Sequence, residues 1–302
     1  MPEGHSVRRL ARQLDDVFAG RPLRVSSPQG RFAAGAALLD GREFLTAEAH
    51  GKQLFAHFEG GQVLRVHLGL YGAFSFGGDE TFRGASSIGA PRRIGEREAY
   101  DDGADVGYAG PPEPVGQVRA RLVAEHGWAD LRGPSACEVL TVPEADAVRA
   151  RLGPDSLAPG TPAAGREEFA RRLGATGTVV AAALMNQSLI AGVGNIYRAE
   201  ALFRAGLDPW TRGRDIPGGL LRGLWDDVCV LMADGVRDGR IITTRPGHRT
   251  DRQAPVWPDH AYYTYQRQGL PCLVCGTPIR LAELSARKLY WCPGCQGETG
   301  TA

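Results

Sequence analysis

Pro271-Cys272-Leu273-Val274-Cys275-Gly276 and Trp291-Cys292-Pro293-Gly294-Cys295-Gln296 stand at the two ends of one stretch near the C-terminus, in the spacing Cys-x2-Cys-x16-Cys-x2-Cys. Each pair, with its flanking or enclosed Pro and Gly, forms a tight knuckle, and four thiolates so placed suit one tetrahedral zinc ion. Two disulfides or two redox pairs would use the same letters, but a cytoplasmic chain disfavours both. Closed four-cysteine sites are structural, so the expected zinc does no chemistry of its own; roughly thirty residues around it depend on the metal for a core. The remaining cysteines, Cys137 and Cys229, lie in apolar surroundings and are expected to pack in cores. Between the Cys pairs the hairpin reads LAELSARKLYW (281–291). Adjacent Arg287 and Lys288 beside aromatics suit nucleic-acid phosphate, although a solvated turn would look the same.

Upstream, from about Val142, the chain reads as helical. Helices are expected over Glu144–Arg151, Arg166–Leu173, Thr178–Ile190, Asn195–Ala205 and Ile216–Arg237; in the last, Leu220, Leu224, Val228, Leu231 and Met232 keep the 3.6-residue period. MNQSLIAGVGNIYR (185–198) reads as helix, glycine-containing turn, helix. Asn195 opens the second helix, where backbone N–H groups and its amide suit a phosphate. An ordinary Asn-capped turn accounts for the same residues.

The first half is different. Val7, Leu10, Ala11, Leu14, Val17 and Phe18 form one helical stripe, ended by Gly20-Arg21-Pro22. Short strands follow from about residue 23 to 76, with Leu54, Ala56 and Phe58 alternating with Phe55 and His57, and resume at Gln117–Ala124 and Trp128–Arg132. Such strands imply an antiparallel sandwich or barrel, not a βαβ repeat. Residues 77–114, rich in Gly, Pro, Ser and charge, are expected to form a flexible surface insertion.

Composition narrows the class. The 302 residues are 43% hydrophobic and 23% charged, with a formal charge of +1, as in an ordinary globular chain of about two domains. No apolar run reaches the roughly 20 residues of a membrane span, and the start MPEGHSVRRL lacks the apolar region of a signal peptide. A chain beginning near residue 1 in the cytoplasm is expected. The net charge conceals an asymmetry: residues 77–114 carry eight acids against four Arg, a net of −4, leaving the rest at +5. Of the 35 basic residues, 33 are Arg and two are Lys, Lys52 and Lys288.

Two further places carry candidate chemistry. Removal of Met1 before the small Pro2 would leave a secondary amine, which titrates near 8 and lower still at the positive end of a helix. Such an amine is a usable nucleophile toward a carbonyl carbon, with Glu3 beside it as general acid or base. A plain helix start would have the same sequence. In Ala49-His50-Gly51-Lys52-Gln53-Leu54, Lys52 opens an apolar strand and could reach a phosphate or a reacting centre; an exposed surface lysine is the alternative.

In order along the chain, PEG, HGK, LYG, RLGPDSL, QSLIAGVGNIYRAE and YWCPGCQ resemble the formamidopyrimidine-DNA glycosylase and endonuclease VIII family, nearer the endonuclease VIII branch in an actinobacterial form, over nearly the whole length. The resemblance implies an α+β protein: an N-terminal antiparallel β-sandwich with an N-terminal helix (1–140), a helix–two-turn–helix domain (141–260) and a four-cysteine zinc finger (261–302). It implies a monomeric bifunctional DNA glycosylase/AP lyase of base-excision repair, acting on damaged double-stranded DNA and holding structural zinc. Pro2 would attack C1′ of the damaged nucleotide, Glu3 supply a proton, and Lys52 and Arg287 serve elimination. Leu70 and Tyr71 would fill the gap of a flipped nucleotide, and Arg151 and Asn195 contact DNA. Oxidised pyrimidines are the expected lesions, an 8-oxoguanine type the rival within the family, and a non-catalytic zinc-finger DNA-binding protein the rival outside it. Two departures stand out: His5-Ser6 replaces the Pro-Glu of many members, and Gly69 replaces the Gln of a Gln-Leu-Tyr motif.

Overall fold

The computed structural model describes residues 2–90, 110–160, 162–249 and 255–297, and the chain divides into two compact units, Met1–Arg151 and Leu152–Ala302. In the first, helix α1 (Gly4–Phe18) precedes two five-stranded antiparallel sheets. The elements are β1 (Arg21–Pro22), β2 (Arg24–Ser26), helix α2 (Ala33–Leu39), β3 (Glu43–His50), β4 (Gln53–Phe58), β5 (Gln62–His67), β6 (Ala73–Gly78), β7 (Ser87–Gly89), β8 (Val118–Val123), β9 (Gly127–Arg132) and β10 (Ala136–Thr141). One sheet runs β1-β3-β4-β5-β10 and the other β2-β8-β9-β6-β7. Period-2 alternation makes this possible: Leu54, Ala56 and Phe58 on β4 and Leu64 and Val66 on β5 enter one core with Phe74 and Phe76, Leu122, Leu131 and the apolar stripe of α1. The sandwich and the leading helix are therefore as expected. Helix α2 and strand β10 were not.

Residues 77–114 differ from the expected insertion. Strand β6 continues to Gly78 and β7 pairs with it. The Gln13 amide of α1 donates to the Ala85 carbonyl (2.7 Å) and accepts from the Ala85 N–H (2.9 Å), and Ala85 and Ile88 are buried in the core. The buried apolar pair hidden among polar letters is what makes this part of the sheet. Residues 91–109 lie outside the described residues.

The first unit also extends past residue 140. Helix α3 (Val142–Arg149), capped by a reciprocal Thr141–Glu144 box, covers the outer face of β4 and β5, with Ala145 buried against Phe55 and Val63. The Arg149 guanidinium lies 4.3 Å from the Phe55 ring centroid. Residues 141–151 thus belong with the sheets and not with the helical part.

The second unit contains α4 (Pro162–Gly174), α5 (Val180–Ala183), α6 (Asn195–Arg204), α7 (Gly218–Asp238), strands β11 (Arg280–Leu284) and β12 (Arg287–Trp291), and α8 (Pro293–Gln296). The expected helix Thr178–Ile190 stops at Ala183 because the next polar residues satisfy the backbone differently. The Asn186 side chain accepts from the Ser188 N–H and hydroxyl, and Gln187 bonds the Gly192 N–H and the Val193 carbonyl. The zinc hairpin is not a separate body. Leu289 and Trp291 of β12 sit in one core with Phe169, Tyr197, Leu224 and Trp225 of the helices. Among the described residues no helix is long and apolar enough to cross a membrane.

Candidate active site and zinc centre

Helix α1 carries two faces. Beside the apolar stripe, Glu3, Ser6, Arg9 and Gln13 recur at three and four residues and are all buried, with His5 next to them. Glu3 is the N-cap residue, with extended backbone (φ −122°, ψ −177°); its carbonyl accepts from the Ser6 and Val7 N–H groups, and it has no exposed surface. A carboxylate at the positive end of a helix is favourably placed. His5 Nε2 lies 3.1 Å from the Ser6 hydroxyl. Burial first, and then the Arg9 charge, push the His5 ring down to about 3, so it stays neutral. Pro2, Glu3, His5 and Ser6 are therefore all buried at the start of α1, where the His-Ser departure adds no charge.

Lys52 belongs to the two-residue turn joining β3 and β4, across which His50 pairs with Gln53. Gly51 takes φ +57°, a conformation that suits Gly at a tight hairpin. Lys52 is half-buried, and α1 packs on both strands of its hairpin. His67, opposite Gln53 on β5, is bonded to the Ser135 hydroxyl (2.6 Å); burial, then the charges of Lys52 and Arg65, hold its ring below the usual range.

Leu70 and Tyr71 form the exposed tip between β5 and β6, 49% and 82% exposed. The tip closes with the Gly72 N–H on the Leu68 carbonyl (2.9 Å). Gly69 has φ +67°, and a Cβ there would stand 2.9 Å from Ser135 Cβ. A side chain would be strained in this backbone, so glycine suits the position where other members have Gln. Arg151 is exposed and ends the first unit.

In the second unit the structure brings Asn195 to the zinc hairpin. Asn195, first residue of α6, donates from Nδ2 to the Lys288 carbonyl (3.0 Å). Arg198, one turn on, donates from Nη2 to the same carbonyl (2.7 Å) and to Asn195 Oδ1. Arg287 precedes Lys288 and is exposed. Its strand alternates, so Arg287, Leu289 and Trp291 share one face; Lys288 lies on the other, opposite Glu283. The Ser285-Ala286 turn has φ +53° and +58°, both left-handed and neither residue a glycine.

The four cysteine sulfurs lie within 4.8 Å of one another. A zinc tetrahedron with bonds of about 2.3 Å sets its sulfurs about 3.8 Å apart. The Cys272–Cys295 and Cys275–Cys292 separations are 3.9 and 3.4 Å, far beyond a disulfide's length of about 2.05 Å. The donor set therefore fits a closed structural zinc site. Cys137 and Cys229 pack against the two main cores, and burial pushes each thiol up to about 12.

Glu200 and Arg198 are buried charged residues that sequence reading missed. The wholly buried Glu200 carboxylate of α6 accepts from the Tyr263, Thr264 and Tyr265 N–H groups and from the Thr243 and Thr264 hydroxyls, tying the segment that leads into the zinc hairpin onto α6. Arg198, three residues after Asn195 and so on the same side of one helix, carried the available signal; Glu200, five residues on, falls outside that spacing.

Residues 1–113 match the formamidopyrimidine-DNA glycosylase N-terminal domain, 152–246 the H2TH domain of that glycosylase, and 269–297 the zinc finger found in FPG and IleRS. The chain belongs to the formamidopyrimidine-DNA glycosylase family, the DNA glycosylase/AP lyases of base-excision repair. It is 44% identical to Endonuclease 8 1 of Mycobacterium tuberculosis, over 98% of this chain and 100% of that one. It is 33% identical to the formamidopyrimidine-DNA glycosylase of Bordetella petrii, over 98% and 99%. Among solved structures, the MutM (FPG) protein of Thermus thermophilus superposes with a TM-score of 0.73 at 28% identity, covering 98% of this chain and 99% of that one.

Proposed function

We propose that the chain excises oxidised pyrimidines from double-stranded DNA through a Schiff base at Pro2 and then cuts the strand by β- and δ-elimination. The observation that carries this reading is the buried Glu3 carboxylate at the α1 N-cap, immediately after Pro2. With Met1 removed, the Pro2 nitrogen forms a bond to C1′ of a flipped nucleotide as the glycosidic bond breaks and the base leaves with a proton. Glu3 is the proton donor and acceptor. The C1′–O4′ bond then opens, with a proton delivered to O4′ by Glu3, to give an iminium that makes the 2′ proton acidic; removal of that proton expels the 3′ phosphate, and a second elimination expels the 5′ phosphate. Lys52 and Arg287 serve these steps, Leu70 and Tyr71 occupy the vacated stack, and Arg151 and Asn195 hold the backbone. The protein acts as a monomer.

Preference for pyrimidines is supported by the higher identity to Endonuclease 8 1 than to the formamidopyrimidine-DNA glycosylases. The rival within the family is an 8-oxoguanine type. Borohydride trapping on duplexes carrying thymine glycol, 5-hydroxyuracil, 8-oxoguanine or an abasic site decides both points. A covalent adduct with the pyrimidine lesions and little with 8-oxoguanine is expected. No adduct on any duplex, or Met1 retained in the active protein, would refute the Pro2 mechanism.

A further inference from the structure

The buried guanidinium of Arg198 has no place in the steps above. Its side chain is 1% exposed, and burying a charge is costly unless its hydrogen bonds are well made. One of its nitrogens, Nη2, reaches both the Asn195 side chain and the Lys288 carbonyl. We infer that Arg198 is a positioning residue for strand scission: it orients the Asn195 amide and fixes the direction in which Arg287 leaves the zinc hairpin. This rests on the reading of Asn195 and Arg287 as contacts to the DNA backbone.

Three features support it. First, an Asn amide can sit either way round, and a guanidinium only donates. Arg198 therefore selects the orientation with Oδ1 inward. The Asn195 NH2 then places one N–H on the Lys288 carbonyl and keeps the second for a phosphate oxygen. Second, the Lys288 carbonyl accepts from both Asn195 and Arg198 while Leu289 and Trp291 are buried beside α6. Fixing that peptide and that face sets the rotation of β12, and hence the side from which Arg287 projects. Third, the Ser285-Ala286 turn directly before Arg287 holds two non-glycine residues at positive φ. Such backbone persists only where its surroundings over-determine it, and the clamp on Lys288 is one such determinant.

The test uses the full-length, zinc-loaded protein and a duplex with one abasic site, comparing Arg198→Met, Arg198→Lys, Asn195→Ala and Arg287→Ala. The main readout is the ratio of β- to δ-elimination ends on a denaturing gel, which does not depend on the fraction of protein that is folded. Arg198→Met is expected to shift the ratio toward β and to lower kcat/KM for incision about tenfold, the scale of one lost charged hydrogen bond. Arg198→Lys is expected to recover part of both effects, with borohydride trapping at Pro2 retained. If Arg287→Ala shifts the ratio and both Arg198 variants leave it unchanged, the positioning role is overturned and the phosphate reading stands. If Arg287→Ala also leaves it unchanged, the phosphate reading itself fails, and this inference falls with it.

Discussion

Replacing Glu200 should be among the most damaging single changes in the second unit. Its carboxylate is completely buried and accepts five hydrogen bonds, three from backbone N–H groups that no rotation can redirect. Oε1 serves Thr264 N–H, the Thr264 hydroxyl and Tyr265 N–H; Oε2 serves Tyr263 N–H and the Thr243 hydroxyl. In Glu200→Gln the three bonds to Oε1 survive. The Thr243 hydroxyl already lies within reach of the Ala261 carbonyl and can turn to it, so one backbone donor is left facing an amide N–H. One stranded donor costs about 1–3 kcal/mol. Glu200→Ala strands all three backbone donors and leaves a void, and even with partial relaxation about 4 kcal/mol is expected, a large share of a typical total of about 5–15 kcal/mol. Urea denaturation followed by tryptophan fluorescence reads mainly this unit, which holds Trp210, Trp225, Trp257 and Trp291 against Trp128 in the first, and zinc release to a chromogenic chelator reads the hairpin. The order wild type, Gln, Ala is the expected outcome. An Ala variant within about 1 kcal/mol of wild type would show that the buried bonds are replaced by water and that the segment before the hairpin is held by other contacts.

Further outcomes are expected. Ala286→Gly relieves a left-handed residue and should stabilise the hairpin by about 1 kcal/mol, seen as slower zinc release; faster release would contradict the strain. His5 is held neutral down to about pH 3, whereas in the unfolded chain it takes up a proton near the ordinary histidine value of 6.5. The unfolded state therefore binds more protons between these values, and stability falls as pH drops through that window, by up to about 1.4 kcal/mol per pH unit from this one group. His5→Gln should flatten that part of the profile, and an unchanged slope would assign it elsewhere. Tyr71 is 82% exposed, so Tyr71→Ala should change stability by no more than about 0.5 kcal/mol. It should nonetheless reduce excision from duplex DNA more than cleavage at a preformed abasic site, because only excision requires an unstacked step; equal effects would remove Tyr71 from that role.

What was legible in the sequence had a local cause. The zinc site follows from covalent spacing, the sandwich from period-2 alternation in Leu54–Phe58, and α1 and α7 from their 3.6-residue stripes. What was missed depends on partners far along the chain. Residues 77–90 look like loop, but Gln13, over seventy positions away, holds Ala85 in the sheet unit. Helix α3 was assigned to the wrong unit because its short sequence does not reveal that Ala145 covers Phe55 and Val63. Among the candidate site residues, Asn195 was readable as a helix opening. Its real neighbour, the Lys288 carbonyl, lies 93 residues on, and no sequence period could indicate it. Gly69 stands out in the sequence only as a departure from Gln-Leu-Tyr, and only its φ of +67° and the approach to Ser135 show that a side chain would be strained there.

The two lysines separate on the same grounds. Lys288 contributes its carbonyl to the Asn195–Arg198 clamp, a role any residue type could fill, while its side chain is exposed on the face opposite Arg287. Its being Lys is therefore not explained by that contact. Lys52 is half-buried at a hairpin turn on which α1 packs, in the unit that also holds Glu3, and its charge adds to burial in lowering the His67 ring below its usual range. An Arg there would supply the charge but could not release a proton, whereas a partly desolvated ammonium can. In a chain with 33 Arg, the proposed task of exchanging a proton during elimination is what would call for Lys at position 52.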